Sequence, residues 1–91
     1  MAKKCSAYFY VKSENFIVET LKSLGFKVLM NTPRWVSAEA SIELYSSVFK
    51  SNIIEYNVGE EIYYKWESVP VIPEILSNVK DVIFIEPIKR I

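Results

Sequence analysis

Hydrophobic periodicity is the feature of this chain that most limits its possible folds. Between Cys5 and Val11 apolar and polar side chains alternate, which predicts a β-strand with one buried face. Between Ile17 and Leu24 the apolar residues recur at helical spacing, with Ser13 and Glu14 suited to the start of a helix and Gly25 to its end. A strand therefore leads into a short amphipathic helix.

The next third of the chain again changes from the two-residue period of a strand to the 3.6-residue period of a helix. Phe26–Met30 alternates and predicts a second strand, and the turn Asn31–Arg34 joins it to a short third strand, Trp35–Val36. Ser37 is the predicted N-cap of a second helix. The apolar side of that helix would hold Ala38, Ile42, Tyr45, Val48 and Phe49.

A second hairpin and a final strand complete the pattern. Ile54–Val58 and Ile62–Trp66 alternate on either side of Gly59, Pro73 suits the first turn of a short helix, and Val82–Ile85 is an apolar run. The predicted order is βαββαβ, with an extra β-hairpin strand and a short helix before the last strand. Two helices on one face of an antiparallel sheet predict an α+β, ferredoxin-like sandwich, formed by residues 1–91 as a single domain.

Charge and composition narrow the classes of partner. Lysine plus arginine and aspartate plus glutamate number 11 each, so general attraction to nucleic-acid phosphates or anionic lipid is not expected. No apolar run approaches the length of a membrane span, and Met1–Lys4 is not followed by a signal-type apolar core, so we expect a cytoplasmic protein. The absence of histidine and glutamine fits a heat-adapted source.

Residues for bond chemistry are scarce. Without histidine, the single Cys5 cannot form a thiolate–imidazole pair or a zinc site, and a small buried apolar role suits it better. Asn31 and Arg34 flank a turn, but a phosphate-binding nest there would need glycines, and Gly25 and Gly59 are the only two. We predict no catalytic residue, no metal and no cofactor, and hence no enzyme.

Tyrosines mark one candidate surface. The alternation places Tyr8, Tyr10, Leu29 and Tyr63 on the open face of the sheet, and aromatic residues are favoured at protein interfaces. This face either docks a partner or a second copy of the chain, or carries its tyrosines for cross-strand packing. An RNA-binding platform would need basic residues around these tyrosines, and the neutral balance of charges, with no lysine or arginine cluster beside them, argues against it.

Two further features can be explained without a role in binding. A local cluster of positive charge lies at the end of the chain, in Ile88, Lys89, Arg90 and Ile91. We expect this segment either to lie across a partner or to fray, as chain termini do. Trp35 and Trp66 lie among apolar neighbours and are predicted to be core or core-edge residues.

Three segments in order also carry a family resemblance. The first, Phe16–Val28, has the pattern of a helix that ends in leucine and glycine before a new strand. The second, Trp35–Tyr56, has the pattern of a strand, a helix that ends in phenylalanine, and another strand. The third, Ile72–Val82, contains an isoleucine–proline pair followed by a leucine and two valines at characteristic spacing. Together they resemble the prodomain of the sedolisin-type serine-carboxyl peptidases, the pro-kumamolisin activation domain. That family's prodomains begin with a longer N-terminal half and continue into a peptidase domain, so this chain resembles a free-standing module.

The resemblance implies a protein-binding function. Such prodomains act as folding chaperones and inhibitors that dock on the mature enzyme, with their C-terminal linker across the active-site cleft. A serine-carboxyl peptidase would then be the partner, contacted through the open sheet face and the tail. The alternative is a homo-oligomeric, structural or regulatory domain such as a homodimer, and an RNA-binding module is the least favoured.

Overall fold

The computed structural model describes residues 3–12 and 17–85. The described residues form six strands, two α-helices and one 3-10 helix. In chain order they are β1 (Lys4–Val11), α1 (Ile17–Leu24), β2 (Lys27–Asn31), β3 (Trp35–Ser41), α2 (Ile42–Phe49), β4 (Ile53–Val58), β5 (Glu61–Trp66), a 3-10 helix (Glu74–Leu76) and β6 (Val79–Phe84).

The strands form two antiparallel sheets. Four of them lie in the order β2-β3-β1-β6, and β4 and β5 pair only with each other among the described residues. Because β3 lies between β1 and β2, the first strand–helix–strand unit is split by a third strand. The protein is therefore a small α+β domain with two helices and antiparallel sheets, as the sequence predicted at that level.

Both helices bury their apolar sides against the same face of the four-stranded sheet. The alternating side chains of β1 enter one core together with Ile17 and Leu21 of α1 and Tyr45 and Phe49 of α2. At the centre, the Phe9 ring lies 5.8 Å from the Phe49 ring, measured between centroids. No helix within residues 3–12 and 17–85 covers the other face of the sheet.

The end of α1 follows its sequence signal. Gly25 has a φ of +106°, its N–H donates to the Lys22 carbonyl at 3.1 Å, and the Phe26 N–H donates to the Leu21 carbonyl at 3.0 Å. These bonds form a Schellman-type cap, which favours glycine because of the positive φ. The predicted start at Ser13 and Glu14 lies outside the described residues.

The boundary between β3 and α2 differs from the prediction. Ser37 lies inside β3, opposite Tyr8 of β1, and the N-cap of α2 is Ser41, whose Oγ accepts the Leu44 N–H at 3.1 Å. Alanine and serine fit either a helix or a strand, and pairing with both neighbouring strands decides the outcome here. Ala38 therefore faces the core from a strand and not from a helix.

The β4–β5 hairpin turns at Gly59, as predicted, and packs on the core through one face. The φ of Gly59 is +64°, and Val58 pairs with Glu61 across a two-residue turn. Ile53, Tyr64 and Trp66 pack against the core, whereas Ile54, Tyr56 and Val58 are exposed. The apolar residues Ile54, Tyr56 and Val58 therefore face away from the core, because Trp66 lies opposite Ile53 and directly opposed residues share a face.

A side-chain hydrogen bond joins the β4–β5 hairpin to the edge of β6. The Trp66 Nε1–H donates to the Val82 carbonyl at 3.0 Å, and the Val82 N–H donates to the Asp81 carboxylate at 2.9 Å. Pro73 is the extended residue before the 3-10 helix, and its carbonyl accepts the Leu76 N–H at 2.8 Å. A short helix is therefore present, but it is a single 3-10 turn, and the last strand begins at Val79 and not at Val82. In the part of the chain that the structure describes, no helix has the length and apolarity needed to span a membrane.

Candidate functional site

The face of the four-stranded sheet opposite the helices carries a connected aromatic and apolar surface. Because Phe9 and the other core residues of β1 point to the helices, Tyr8 and Tyr10 point the other way. Tyr8 lies opposite Ser37 of β3 and Ile83 of β6. We call the surface formed by the following side chains the open face: Tyr8, Tyr10, Met30, Trp35 and Ile83.

Ring contacts hold the centre of the open face together. The Tyr8 and Trp35 rings meet edge to face with centroids 4.9 Å apart, and the Tyr8 and Tyr10 rings lie 6.2 Å apart. On the flanking edge strands, Met30 and Ile83 are 56% and 48% exposed, which is high for side chains of this kind. The surface is therefore an apolar patch on the side of the sheet opposite the two described α-helices.

Trp35 lies on this surface and not in the core. Val36 is fully buried on the helix side of β3, so the preceding residue in the strand faces the opposite side. The Trp35 side chain is half-buried there. The prediction of a core or core-edge position is wrong for Trp35, whereas Trp66 does pack against the core.

The structure brings together some of the predicted partner-binding residues and separates others. Tyr8 and Tyr10 are neighbours on the open face, and Leu29 lies exposed at the register shift of β2. Tyr63 lies elsewhere, on β5 of the separate hairpin, where it is buried and its ring stacks 5.5 Å from that of Tyr56. Its predicted position on the same face is wrong because β5 does not join the four-stranded sheet. The tail residues Ile88, Lys89, Arg90 and Ile91 lie outside the described residues.

One end of the open face is a cleft that carries positive charge. Its volume is about 580 Å³. Three exposed cations from separate parts of the chain meet there beside two rings of the open face. We call it the cationic cleft, and its lining includes Tyr10, Lys12, Arg34, Trp35 and Lys80.

Strand ends explain why these distant residues meet. β1 ends where its two antiparallel neighbours begin. Lys12, which follows β1, is therefore adjacent to Arg34, which precedes β3, and to the first residues of β6, which include Lys80. Main-chain hydrogen bonds fix this arrangement: the Val11 N–H donates to the Arg34 carbonyl at 3.0 Å and the Lys12 N–H to the Asn78 carbonyl at 2.9 Å. Lys80 lies at the register shift between β1 and β6.

The turn before β3 is also held by a side chain. The Thr32 Oγ1 accepts the Trp35 N–H at 3.1 Å and the Arg34 N–H at 3.3 Å, and it donates to the Trp35 carbonyl at 2.9 Å. The backbone that presents the guanidinium and the indole is thereby fixed relative to β1.

The charges of the cleft are not neutralised by ion pairs within residues 3–12 and 17–85. The ion pairs found there are Lys3–Glu55, at 2.7 Å, and Lys22–Glu19, at 3.9 Å. Asp81 adjoins Lys80 in sequence, but its carboxylate accepts the Val82 N–H. Glu74 lines a neighbouring concavity together with Lys12 and Lys80. The cleft therefore concentrates cations in a chain whose formal net charge is zero.

Sequence reasoning missed this cluster because its members are far apart in the chain. The usable signal was their position relative to the predicted strands, since Lys12 follows the first strand and Arg34 precedes the third. A predicted order of strands in the sheet would have placed the two residues at the same end.

Groups suited to covalent or metal chemistry are poorly placed. Burial, reinforced by Glu39 and Glu43, raises the pKa of the Cys5 thiol to about 12, so little thiolate forms at neutral pH. Among the described residues, no group of three or more histidine, cysteine, aspartate or glutamate side chains could hold a metal ion. The open face and the cationic cleft thus stand out as the candidate functional surfaces.

Comparison of the chain with protein-family models, with curated proteins and with solved structures gives no match. The functional conclusion therefore rests on the chemistry of these two surfaces.

Proposed function

We propose that this protein is a non-enzymatic protein-binding module that docks a partner through its open face. The observation that carries the proposal is the surface on which Met30 and Ile83 are exposed beside the partly exposed rings around Tyr8, on a sheet whose other face packs against both helices. Aromatic residues and methionine are enriched at protein interfaces, and exposed apolar patches mark interaction sites.

A peptidase-propeptide role is the specific form of the proposal. The order β2-β3-β1-β6, with β3 between β1 and β2, supports a ferredoxin-like sandwich into which the β4–β5 hairpin is inserted. This architecture agrees with the resemblance to serine-carboxyl peptidase prodomains, although a fold by itself does not determine a function. The partner would be a peptidase of that class, inhibited or assisted in folding by this chain.

Surface contact is a better basis for function here than catalysis. The one thiol of the chain, Cys5, is buried and has a raised pKa, so it is a poor nucleophile at neutral pH. The phenol of Tyr45 is also buried, and its hydroxyl donates to the Ala38 carbonyl at 2.7 Å. Both groups contribute to packing within the core.

Binding and inhibition assays test the proposal. The chain is titrated into a sedolisin-type serine-carboxyl peptidase, and both residual activity and complex formation are measured. The variant Tyr8→Ser/Ile83→Ser removes two cross-strand neighbours from the open face, and we expect it to weaken the complex at least about tenfold.

A matched control removes two exposed apolar side chains from another surface. Val58→Ser/Ile62→Ser acts on exposed positions beside the turn of the β4–β5 hairpin and is expected to leave binding within about twofold, because rim and distant residues contribute little. The proposed peptidase partnership fails if the parent chain neither inhibits nor binds the enzyme. The proposed surface fails if both double variants bind as the parent does.

Self-association is the second candidate function, favoured by exposed apolar residues on an edge strand. Leu29 and Met30 of β2 are about half exposed, and they continue the open face to the margin of the sheet. Light scattering after size-exclusion chromatography gives the mass in solution. A dimer that the Tyr8→Ser/Ile83→Ser variant dissociates would assign the open face to a second copy of the chain.

A further inference from the structure

We propose that the cationic cleft binds a nucleotide unit, meaning a phosphate joined to a planar base, either free or within a single strand. The proposal does not depend on the protein-docking role of the open face, because its charges come from Lys12, Arg34 and Lys80. It rests on the coincidence, in one concave site, of cations that form no ion pair within residues 3–12 and 17–85 and of two partly exposed rings.

The cations supply the means to hold a phosphate. A guanidinium donates to phosphate oxygens in a bidentate manner, whereas lysine ammonium groups act as mobile point charges. Arg34, Lys12 and Lys80 are all exposed and form no ion pair among the described residues. They are therefore available to an anion from solvent.

The rings supply the means to hold a base. Tyr10 and Trp35 lie directly opposite each other on β1 and β3, and both line the cleft. Bases of every kind stack on aromatic side chains of single-strand binding proteins. A site for a simple inorganic anion would not need these rings.

The size and the rigidity of the cleft also fit a small planar anion. About 580 Å³ lies within the range of ordinary small-molecule sites. The hydrogen bonds from Val11 to Arg34 and from Lys12 to Asn78 fix the strand ends before any ligand arrives, so little backbone order has to be gained on binding. A base-paired duplex would keep its bases stacked inside the helix and away from both rings, so we infer an unpaired nucleotide.

Fluorescence anisotropy of a labelled eight-nucleotide single-stranded RNA measures the binding. Competition with adenosine monophosphate, inorganic phosphate, a duplex of the same length and an eight-residue glutamate peptide identifies the chemistry. We expect the single strand to bind, and the duplex, the peptide and phosphate each to compete at least about tenfold more weakly per molecule. Adenosine monophosphate that competes as well as the strand would indicate a free nucleotide as the ligand, and weaker competition by it would indicate a strand.

Two variants separate charge from stacking. Arg34→Ala/Lys80→Ala is expected to weaken binding of the strand at least about tenfold and to flatten the slope of log K against log salt by about 0.7 for each phosphate that the variant no longer neutralises. Tyr10→Leu is expected to weaken binding about tenfold with the salt slope unchanged, because it removes a stacking surface and no charge.

The matched control is Lys22→Ala/Lys65→Ala, which removes the same charge from α1 and β5. We expect it to bind the strand within about twofold of the parent, and circular dichroism verifies that each variant is folded. The proposal is overturned if the parent does not bind the strand at about 50 mM salt, where phosphate binding is strong. It is also overturned if the control loses as much affinity as Arg34→Ala/Lys80→Ala, or if the glutamate peptide or phosphate competes as well as the strand. The last result would assign the cleft to an acidic protein segment or to a simple anion.

Discussion

At the scale of single residues, two buried polar groups determine how the core responds to alkaline pH. Cys5 is 6% exposed on the core side of β1, and burial raises the pKa of its thiol to about 12. Burial raises the pKa of the Tyr45 phenol as well. Both groups are neutral in the folded state at pH values where the unfolded chain already begins to lose their protons.

The free energy of unfolding should therefore decrease as the pH rises above about 9, the ordinary pKa of a cysteine thiol. Below that pH the thiol keeps its proton in both the folded and the unfolded state, so the contribution of Cys5 is complete. Between about 9 and about 12 only the unfolded thiol ionises, so stability is lost. At pH 10 the loss due to Cys5 is about 1.4 kcal/mol relative to pH 7.5, at 1.36 kcal/mol for each pH unit.

Urea unfolding of the parent chain and of Cys5→Ala, each at several pH values from 7.5 to 10.5, measures this effect. Replacement of the thiol should reduce the alkaline loss of stability, and the remainder reflects the other titrating groups, including Tyr45. Parallel pH profiles for the two proteins would show that the thiol does not titrate differently in the folded and unfolded states.

The Tyr45 hydroxyl should contribute measurably to stability. Its 2.7 Å bond to the Ala38 carbonyl is buried, so Tyr45→Phe leaves that carbonyl without this donor and should lower the free energy of unfolding by about 1 kcal/mol. Tyr56→Phe removes the same atom from an exposed tyrosine and should change stability by less than about 0.5 kcal/mol. Equal effects in chemical denaturation would contradict the assigned bond.

At the scale of elements, the junction between β3 and α2 depends on one serine. Ser41→Ala removes the Oγ that accepts the Leu44 N–H, and we expect a loss of about 1 kcal/mol in the free energy of unfolding. Ser37→Ala changes the same residue type within β3, where no helix begins, and should cost less than half as much. A larger loss for Ser37→Ala in urea unfolding would favour the helix start expected from the sequence.

This junction also shows the limits of prediction from local pattern. The strand β1, the helix α1 and its end at Gly25 follow from periodicity and a glycine with positive φ, which are local properties. Apart from Glu39, the residues from Ser37 to Ser41 are serine and alanine, whose small side chains mark a buried face only weakly. Their strand conformation depends on pairing with β1 and β2, which lie far away in sequence.

The residues of the candidate surfaces also differ in whether local sequence pattern can predict their positions. Tyr8 and Tyr10 could be placed on the open face from alternation within β1 alone. Tyr63 could not be placed, because that requires knowing that β5 pairs only with β4 in the described part of the chain. The cationic cleft depends on the order of β3, β1 and β6 across the sheet, so patterns among neighbouring residues could not predict it.

At the scale of the whole molecule, aromatic contacts connect the hairpin to the rest of the core. The Trp66 ring lies 4.7 Å from that of Phe84 on β6 and 5.6 Å from that of Phe49 on α2, measured between centroids. The Phe49 ring in turn contacts Phe9 at the centre of the four-stranded sheet. We therefore expect the hairpin and the sheet to unfold together as one unit.

A variant with a single tryptophan tests this cooperativity. Trp35→Phe leaves Trp66 as the only indole, so its fluorescence follows the hairpin, whereas far-ultraviolet circular dichroism follows all elements. Coincident midpoints in urea are the expected result. An earlier midpoint for Trp66 would mean that the β4–β5 hairpin separates from the core while the sheet persists.

The bonds at the edge of β6 have a consequence for how the protein behaves at high concentration. The open edge of a sheet is a template on which further chains can add as strands and grow into fibrils. Trp66 and Asp81 occupy the carbonyl and the N–H of Val82 on one margin, and the register shift near Leu29 distorts the other. Loss of the indole donor in Trp66→Phe should therefore accelerate amyloid-type aggregation, even where the monomer remains folded.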